Sequence, residues 1–181
     1  MEKGYLFLLG AGASAPEMPT YRGVDTKVSL NEILEKSMKV EPPPFYKYLK
    51  RHFHNDWLII TQNIDRLAER SGLSTIPVHL RIKADNISLN EKLTEDMVVK
   101  SGEDIDQERM EKVCEKVTEM TKKYGDNLIV VVVGTSLPYP YLREVVINPA
   151  KNMGAKVIHI NPDENYDKIM DDFDNDKDAN K

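Results

Sequence analysis

The sequence has a single cysteine, Cys114, and no hydrophobic run long enough to cross a membrane. One cysteine excludes a disulfide within the chain and any four-cysteine zinc site. The longest apolar runs, residues 5–9 and 128–133, span five and six residues, whereas a membrane helix needs about 20. A signal-peptide core is also lacking. We therefore expect a soluble intracellular protein, cytoplasmic or nuclear, with no membrane partner.

Most of the chain has no net charge. The total is −5, and residues 163–181, with eight acidic residues and three lysines, account for all of it. The remainder is neutral and has no basic region that would attract nucleic acid, so we expect no nucleic-acid partner. The length predicts one domain, residues 1–162, followed by an acidic, solvated tail, residues 163–181. Nothing in the sequence indicates an oligomeric state.

Four short apolar runs are typical of strands that are buried on both faces of a parallel sheet. They span residues 5–9, 57–60, 128–133 and 156–160. Helical patterns alternate with these runs, which predicts an α/β fold with right-handed crossovers and helices on both faces of the sheet. The segment 80–94 is polar and weakly patterned, so we expect it to lie outside the sheet as a small insertion or a long loop.

Three helices are predicted from the spacing of apolar residues, at 30–38, 45–53 and 105–124. The third has the clearest apolar stripe, with Asp104 as the expected N-cap and Gly125 as the residue that ends it. We expect Cys114 on its buried stripe, in a packing role. A further helix is predicted to start near Tyr141 and to be broken or ended by Pro149.

A glycine-containing loop, Gly10-Ala11-Gly12-Ala13-Ser14-Ala15, follows the first predicted strand. Glycine permits a sharp turn there and lets the main chain approach a pyrophosphate, whose charge the free N–H groups would favour. An ordinary strand-to-helix turn explains the same pattern. A dinucleotide-binding dehydrogenase would also place an acid at the end of the second strand, about 20 residues on. Glu32 and Glu35 lie instead in a helical pattern, so that fingerprint is incomplete.

Polar residues follow the other apolar runs at the point where each run ends. The three segments are Thr61-Gln62-Asn63-Ile64-Asp65, Gly134-Thr135-Ser136 and His159-Ile160-Asn161. Ligands of open parallel sheets bind beyond the carboxyl ends of the strands, so these side chains are predicted to line one crevice. A capped turn explains any one polar residue, but it explains the whole set less well.

Taken in order along the chain, these segments resemble the sirtuin family. The family's cofactor loop is similar to residues 10–15 and 19–23, and its most characteristic motif is matched by Thr61-Gln62-Asn63-Ile64-Asp65. Val78-His79 matches the position of the catalytic histidine. Gly134-Thr135-Ser136-Leu137 and Ile160-Asn161 match later cofactor contacts. The similarity extends from about residue 6 to residue 162 and implies a Rossmann-like fold that binds NAD.

The resemblance implies a role for each matching residue. The pyrophosphate and a ribose would be held by Gly10, Ala11, Gly12, Ser14 and Arg22. Gln62 and Asn63 would contact the nicotinamide-side ribose and an ordered water. Asp65 would hold the carboxamide of nicotinamide. The adenosine half would be held by Gly134, Ser136 and Asn161. The implied catalytic residues are Asn63 and His79. Since histidine titrates near neutral pH, His79 suits the removal of a proton from a ribose hydroxyl.

The sequence also departs from the sirtuin pattern. The family carries a four-cysteine zinc ribbon after the catalytic histidine, and no cysteine follows His79 there. We therefore expect the small insertion lobe, residues 80–97, to be reduced and without a metal. Pro16-Glu17-Met18 makes the cofactor loop one residue short. Residues 98–103 resemble the strand that pairs with the substrate peptide, but Ser101 replaces a phenylalanine.

The implied activity is that of an NAD-dependent protein lysine deacylase, with an acyl-lysine peptide or protein as substrate. Such an enzyme transfers the acyl group to ADP-ribose and releases nicotinamide. Two alternatives stay open. An NAD hydrolase, or an ADP-ribosyl-transferring enzyme, is favoured by the missing cysteines. A non-catalytic NAD-binding module is favoured by the shortened loop. None of these requires a metal for its chemistry.

Overall fold

The structure is a computed structural model that describes residues 2–15, 17–18, 28–54, 56–100, 102–135 and 140–160. Arg22, Ser101, Ser136, Asn161 and the acidic segment 163–181 lie outside these ranges. Within them, one parallel sheet has five strands: β1 (Gly4–Leu9), β2 (Leu58–Thr61), β3 (Ile76–Pro77), β4 (Leu128–Val133) and β5 (Lys156–Ile160). The predicted α/β fold with a parallel sheet is thus confirmed. β3 is the strand that the apolar pattern missed.

The strand order is β3-β2-β1-β4-β5, so the direction of winding reverses at β1. The register brings the strand ends to one level. Leu9, the last residue of β1, pairs with Thr61 and with Val133, the last residues of β2 and β4. Val133 in turn pairs with Ile160, and Thr61 with Pro77. Whatever follows each strand therefore emerges at a single edge, beside a reversal of strand order, which is where open parallel sheets bind ligands.

Helices cover both faces of the sheet because alternate residues of each strand point to opposite faces. Tyr5, Phe7 and Leu9 pack in a cluster with α2 (Pro44–His52) and α3 (Leu67–Arg70). Leu6 and Leu8 pack in a second cluster with α4 (Gln107–Tyr124). The same cluster includes a composite helix made of α5 (Pro140–Leu142), a π-helical turn (Arg143–Ile147) and α6 (Asn148–Asn152).

A third, smaller cluster lies outside the sheet, as expected for the insertion. It joins Leu34 of α1 (Leu30–Ser37) to residues of the segment 80–98, namely Leu80, Ala84, Leu93 and Val98. That segment contains two 3₁₀ helices, Ile82–Asn86 and Glu95–Met97. Its two ends meet through an antiparallel bridge between Leu80 and Val98.

Two arginines anchor this segment by its main chain. The buried guanidinium of Arg109, from α4, donates to the carbonyl of Leu80 at 3.2 Å and pairs with the carboxylate of Asp85 at 2.8 Å. Arg66, whose φ is 56°, donates to the carbonyl of Ser88 at 3.0 Å and to that of Glu91. Charge-assisted hydrogen bonds of this kind are about twice as strong as neutral ones. The sequence pattern gave no indication of these anchors.

Two predictions about α4 were wrong. The residue preceding the helix is Asp106, not Asp104, and its carboxylate accepts hydrogen bonds from the Ile82 N–H at 2.8 Å and from Arg81 at 2.7 Å. Cys114 is exposed. The buried stripe follows the helical repeat through Arg109, Val113, Val117, Met120 and Tyr124, so Cys114 falls one position outside it.

Pro149 does not end the helical segment, which continues to Asn152, but the α-helix is broken just before it, since Pro149 lies in the first turn of α6, after the π-helical turn. A proline inside a helix lacks an N–H and clashes with the carbonyl four residues earlier. The π-helical turn at Arg143–Ile147 comes directly before α6 and widens the helix there, which accommodates the ring. No helix in the described ranges combines the length and the apolar character that crossing a membrane requires.

Candidate functional site

The loops after β1 and β4 are in close main-chain contact. The Gly10 N–H donates to the Val133 carbonyl at 2.8 Å, and the Gly12 N–H donates to the Gly134 carbonyl at 2.9 Å. Gly134 has φ +65°, and a Cβ there would lie 2.3 Å from the Ala13 nitrogen. The glycines are therefore required for the contact between the two loops. The close approach of a pyrophosphate, for which they were singled out, is a separate expectation.

Four successive hydrogen bonds extend the sheet by one residue at its carboxyl edge. The N–H groups of Val78, Gln62, Gly10 and Gly134 each donate to the last carbonyl of the neighbouring strand, at 2.8 to 3.0 Å. These bonds fix the first residue of the loops after β1, β2, β3 and β4. They place the segments with Gly10, Gln62 and Gly134 side by side, as the sequence predicted, and bring His79, the residue after Val78, to the same edge.

Asn63 connects the loop after β2 to the loop after β1. Its buried side-chain amide donates to the Gly10 carbonyl at 2.9 Å, to the Tyr46 hydroxyl at 3.3 Å and to Ser14 Oγ at 3.4 Å. Ser14 Oγ and the Tyr46 hydroxyl are 2.6 Å apart. Burial raises the pKa of Tyr46 far above its ordinary value, and the charge of Asp65 adds to this, so the phenol keeps its proton.

Asp65 is buried beside this network. Burial raises the pKa of its carboxyl group, while hydrogen bonds from the Leu67 N–H, at 2.9 Å, and from the Ser14 side chain oppose the rise. Arg70 donates to the main-chain carbonyl of Asp65 at 2.6 Å. One carboxylate oxygen therefore caps the first turn of α3, as the capped-turn interpretation of this segment expects.

His79 follows β3 and is held at both ring nitrogens. Nδ1 lies 2.9 Å from the Gln62 carbonyl oxygen, and Nε2 lies 2.7 Å from the Tyr141 hydroxyl. Because a carbonyl oxygen can only accept, the hydrogen of the neutral ring is assigned to Nδ1, and Nε2 then accepts from Tyr141. Burial lowers the pKa of His79, and the Gln62 carbonyl partly opposes that shift. His79 is therefore neutral at pH 7.

The Gln62 side chain reaches across β1 and joins the loops after β2 and β4. The side-chain amide nitrogen lies 3.3 Å from Thr135 Oγ1. The main-chain carbonyl of Gln62 orients His79. The predicted residues at this edge are Gly10, Ala11, Gly12, Ser14, Gln62, Asn63, Asp65, His79 and Gly134. The remaining three, Arg22, Ser136 and Asn161, lie outside the described residues.

Sequence reasoning missed the tyrosines that bind the predicted site residues. Tyr46 lies on α2 beside the apolar stripe, and its ring is fully buried. Tyr141 begins the composite helix after β4. A tyrosine next to apolar residues is the one available signal in each case, and it does not indicate where the hydroxyl points.

We expect Tyr46→Phe to lower the free energy of unfolding by about 1–2 kcal/mol, because Ser14 and Asn63 lose a buried partner. Urea unfolding followed by circular dichroism measures this. Ser14→Ala provides the second arm of a double-mutant cycle. The double variant should lose less than the sum of the two single losses. Strict additivity would show that the 2.6 Å contact contributes nothing to stability.

Comparison of the sequence with models of known protein families finds no match, and comparison with curated proteins finds none either. The fold and the geometry of this edge are therefore the basis for the functional interpretation. They define an α/β protein with a polar cluster at the carboxyl ends of its parallel strands. That cluster contains a half-buried histidine whose two ring nitrogens are both hydrogen-bonded.

Proposed function

We propose that this chain is an NAD-dependent protein lysine deacylase of the sirtuin type, with a Rossmann-like fold. It would take an acyl-lysine peptide or protein, transfer the acyl group to ADP-ribose and release nicotinamide. The observation that carries the proposal is the state of His79. A neutral imidazole, fixed at the strand ends by the main-chain carbonyl of Gln62, is suited to act as a general base.

The side chains at this edge fit NAD chemically. Ser14, Asn63 and Asp65 provide a hydroxyl, an amide and a carboxylate within one buried network. Such a set can meet the ribose hydroxyls and the carboxamide, whose N–H groups suit the carboxyl oxygens of Asp65 as acceptors. When bound, NAD supplies the bond to nicotinamide that is broken and the ribose hydroxyl that must lose a proton. Gly10, Gly12, Ser14, Gln62, Asn63, Asp65 and Gly134 are proposed to hold it, and Arg22, Ser136 and Asn161 to complete the set.

The segment 80–98 is proposed to be the reduced small lobe of this fold, without zinc. Its main chain supports the base directly, since the Val99 N–H donates to the His79 carbonyl at 2.7 Å. The adjoining residues are those proposed to pair with the acyl-lysine substrate. In this role, Arg66 and Arg109 would position the lobe.

Two other functions are each supported by one specific feature of the chain. An NAD hydrolase, or an ADP-ribosyl-transferring enzyme, would use the same His79 and Asn63 with water or another acceptor. The missing zinc cysteines favour it because they leave the peptide-binding lobe small. A non-catalytic NAD-binding module is favoured by the shortened cofactor loop.

The test measures nicotinamide release from NAD by chromatography, with and without an acetyl-lysine peptide, together with the deacetylated peptide formed. Release that requires the peptide and yields equal amounts of both products is the result we expect. Release at the same rate without peptide would replace the deacylase with the hydrolase. If calorimetry detects NAD binding but no nicotinamide is released, both enzyme proposals fail.

A further inference from the structure

The base proposed above has no free nitrogen in this structure. Nδ1 of His79 is committed to the Gln62 carbonyl, and Nε2 accepts the hydroxyl hydrogen of Tyr141 at 2.7 Å. Nε2 is the only position at which the neutral ring can take up a proton. A proton bound for His79 must therefore pass through the Tyr141 hydroxyl, or Tyr141 must leave first.

The position of Tyr141 favours the first route. Tyr141 is the second residue of α5, next to Pro140, whose fixed φ suits the start of a helix. The following residue, Leu142, is buried in the cluster under the sheet, and so is Val146 one turn later. The Tyr141 and His79 rings also meet edge to face, with centroids 6.4 Å apart and planes inclined at 74°. The start of this helix is thus anchored in the core, and the hydroxyl is directed at the imidazole.

We propose that Tyr141 and His79 act together as the general base, with the Tyr141 hydroxyl relaying the proton. This inference rests on the proposed function, because it assigns a second residue to the same proton transfer. A hydroxyl bound at this edge gives its proton to the Tyr141 oxygen. In the same step, the original Tyr141 proton moves to Nε2 of His79. One O–H bond breaks and another forms on tyrosine. The bound hydroxyl keeps the electron pair of its own broken O–H bond as an alkoxide, and the imidazole becomes an imidazolium.

The positive charge that His79 gains in this step is stabilised by the main-chain carbonyl of Gln62. The imidazolium keeps its Nδ1–H on the Gln62 carbonyl, whose hydrogen bond to the ring favours the protonated form. The phenol is neutral before and after the transfer. Tyr141 therefore needs no pKa below its ordinary range to serve as the relay.

The experiment compares Tyr141→Phe with His79→Ala and with the double variant, in the full chain. Peptide deacetylation with saturating NAD gives kcat, and titration of NAD gives KM. We expect Tyr141→Phe to lower kcat about 10- to 100-fold, within the range of general acid–base catalysis, and to leave KM within about twofold. In the His79→Ala background the same change should have no further effect, because residues that act as a unit are not additive.

A second measurement does not depend on activity. In protein labelled with ¹⁵N at histidine, Tyr141→Phe should move the Nε2 resonance of His79 and leave its Nδ1–H tautomer in place. His79→Ala assigns the signal. Tyr124→Phe is the matched control, because it removes a phenol hydroxyl from the same cluster at the far end of β1. This control should leave both the signal and kcat unchanged.

The possible results separate the two proposals. If the wild type deacetylates and Tyr141→Phe is equally fast or faster, Tyr141 only covers the base and the relay is overturned. Losses that add fully in the double variant overturn it as well. If the wild type releases no nicotinamide at all, the proposed function fails and the relay fails with it. The Nε2 resonance would then report only whether the two side chains are hydrogen-bonded.

Discussion

Gly134→Ala should lower the free energy of unfolding by about 2–5 kcal/mol. The left-handed conformation costs an alanine about 1–2 kcal/mol, and forcing an extra carbon into a packed site costs about 1–3 kcal/mol more. Gly134 has φ +65°, and the new Cβ would lie 2.3 Å from the nitrogen of Ala13 and 2.6 Å from the Cα of Gly12. Both neighbours are main chain, so no side chain can rotate to make room. The loop from Gly10 to Ser14 would have to move away from β4.

The matched control is Gly102→Ala. Gly102 also has a positive φ, +84°, but a Cβ there would meet no atom within 4 Å. It should therefore show the backbone cost alone. Urea unfolding of both variants measures the difference, which is the cost of the clash. Equal losses at the two positions would show that the loops after β1 and β4 are not packed as described. NAD binding should weaken in Gly134→Ala and stay unchanged in Gly102→Ala.

His79→Ala should reduce peptide deacetylation about 10²- to 10⁴-fold, the usual contribution of a positioned general base. Its ring also carries the hydrogen bonds to the Gln62 carbonyl and the Tyr141 hydroxyl, so both partners lose a fixed neighbour. His159→Ala is the control, because His159 is an exposed histidine on β5. A loss of similar size in both variants, or none in His79→Ala, would remove His79 from the reaction.

The dependence on pH follows from the direction of the His79 shift. The neutral imidazole is the active form, so the rate is lost as pH falls through the pKa of His79 in the folded protein. Burial lowers that pKa below the ordinary histidine value of 6.5. The acidic limb of kcat/KM should therefore have its midpoint below about 6.5. A midpoint above that value would mean that His79 is not buried as the structure has it, or that another group limits the rate.

Comparison of the predicted and observed strands shows which strands the apolar pattern can predict. β1, β2, β4 and β5 were predicted within one residue of their ends. β1, β2 and β4 are mainly apolar runs that the sheet buries, whereas β5, at the edge of the sheet, has only partly buried apolar residues, Val157, Ile158 and Ile160. β3 was missed. It has two residues, and one is Pro77, which lacks an N–H and is tolerated at the edge of the sheet, where β3 lies. Two residues are too few to show a period.

The candidate site likewise contains residues that the sequence predicted and residues that only the structure showed. The parallel arrangement alone predicted that Gln62, Asn63 and Asp65 would lie at one edge with Gly10 and Gly134, since every strand in such a sheet ends there. Tyr46 and Tyr141 could not be predicted. Each is far along the chain from its partner, 17 residues between Tyr46 and Asn63 and 62 between His79 and Tyr141. Hydrogen bonds over such separations are decided by how helices pack on the sheet.

The sequence by itself determined the class of fold, four of the five described strands, and the edge at which polar groups gather. It did so because burial on both faces imposes continuous apolar runs on a parallel sheet. The chemical state of those polar groups was decided only by the tertiary structure. The tautomer of His79, the burial of Asp65 and the anchoring of the 80–98 segment by Arg66 and Arg109 all depend on atoms from distant segments. Burial removes water from these groups, so their protonation and hydrogen bonding follow from the neighbours that the fold provides.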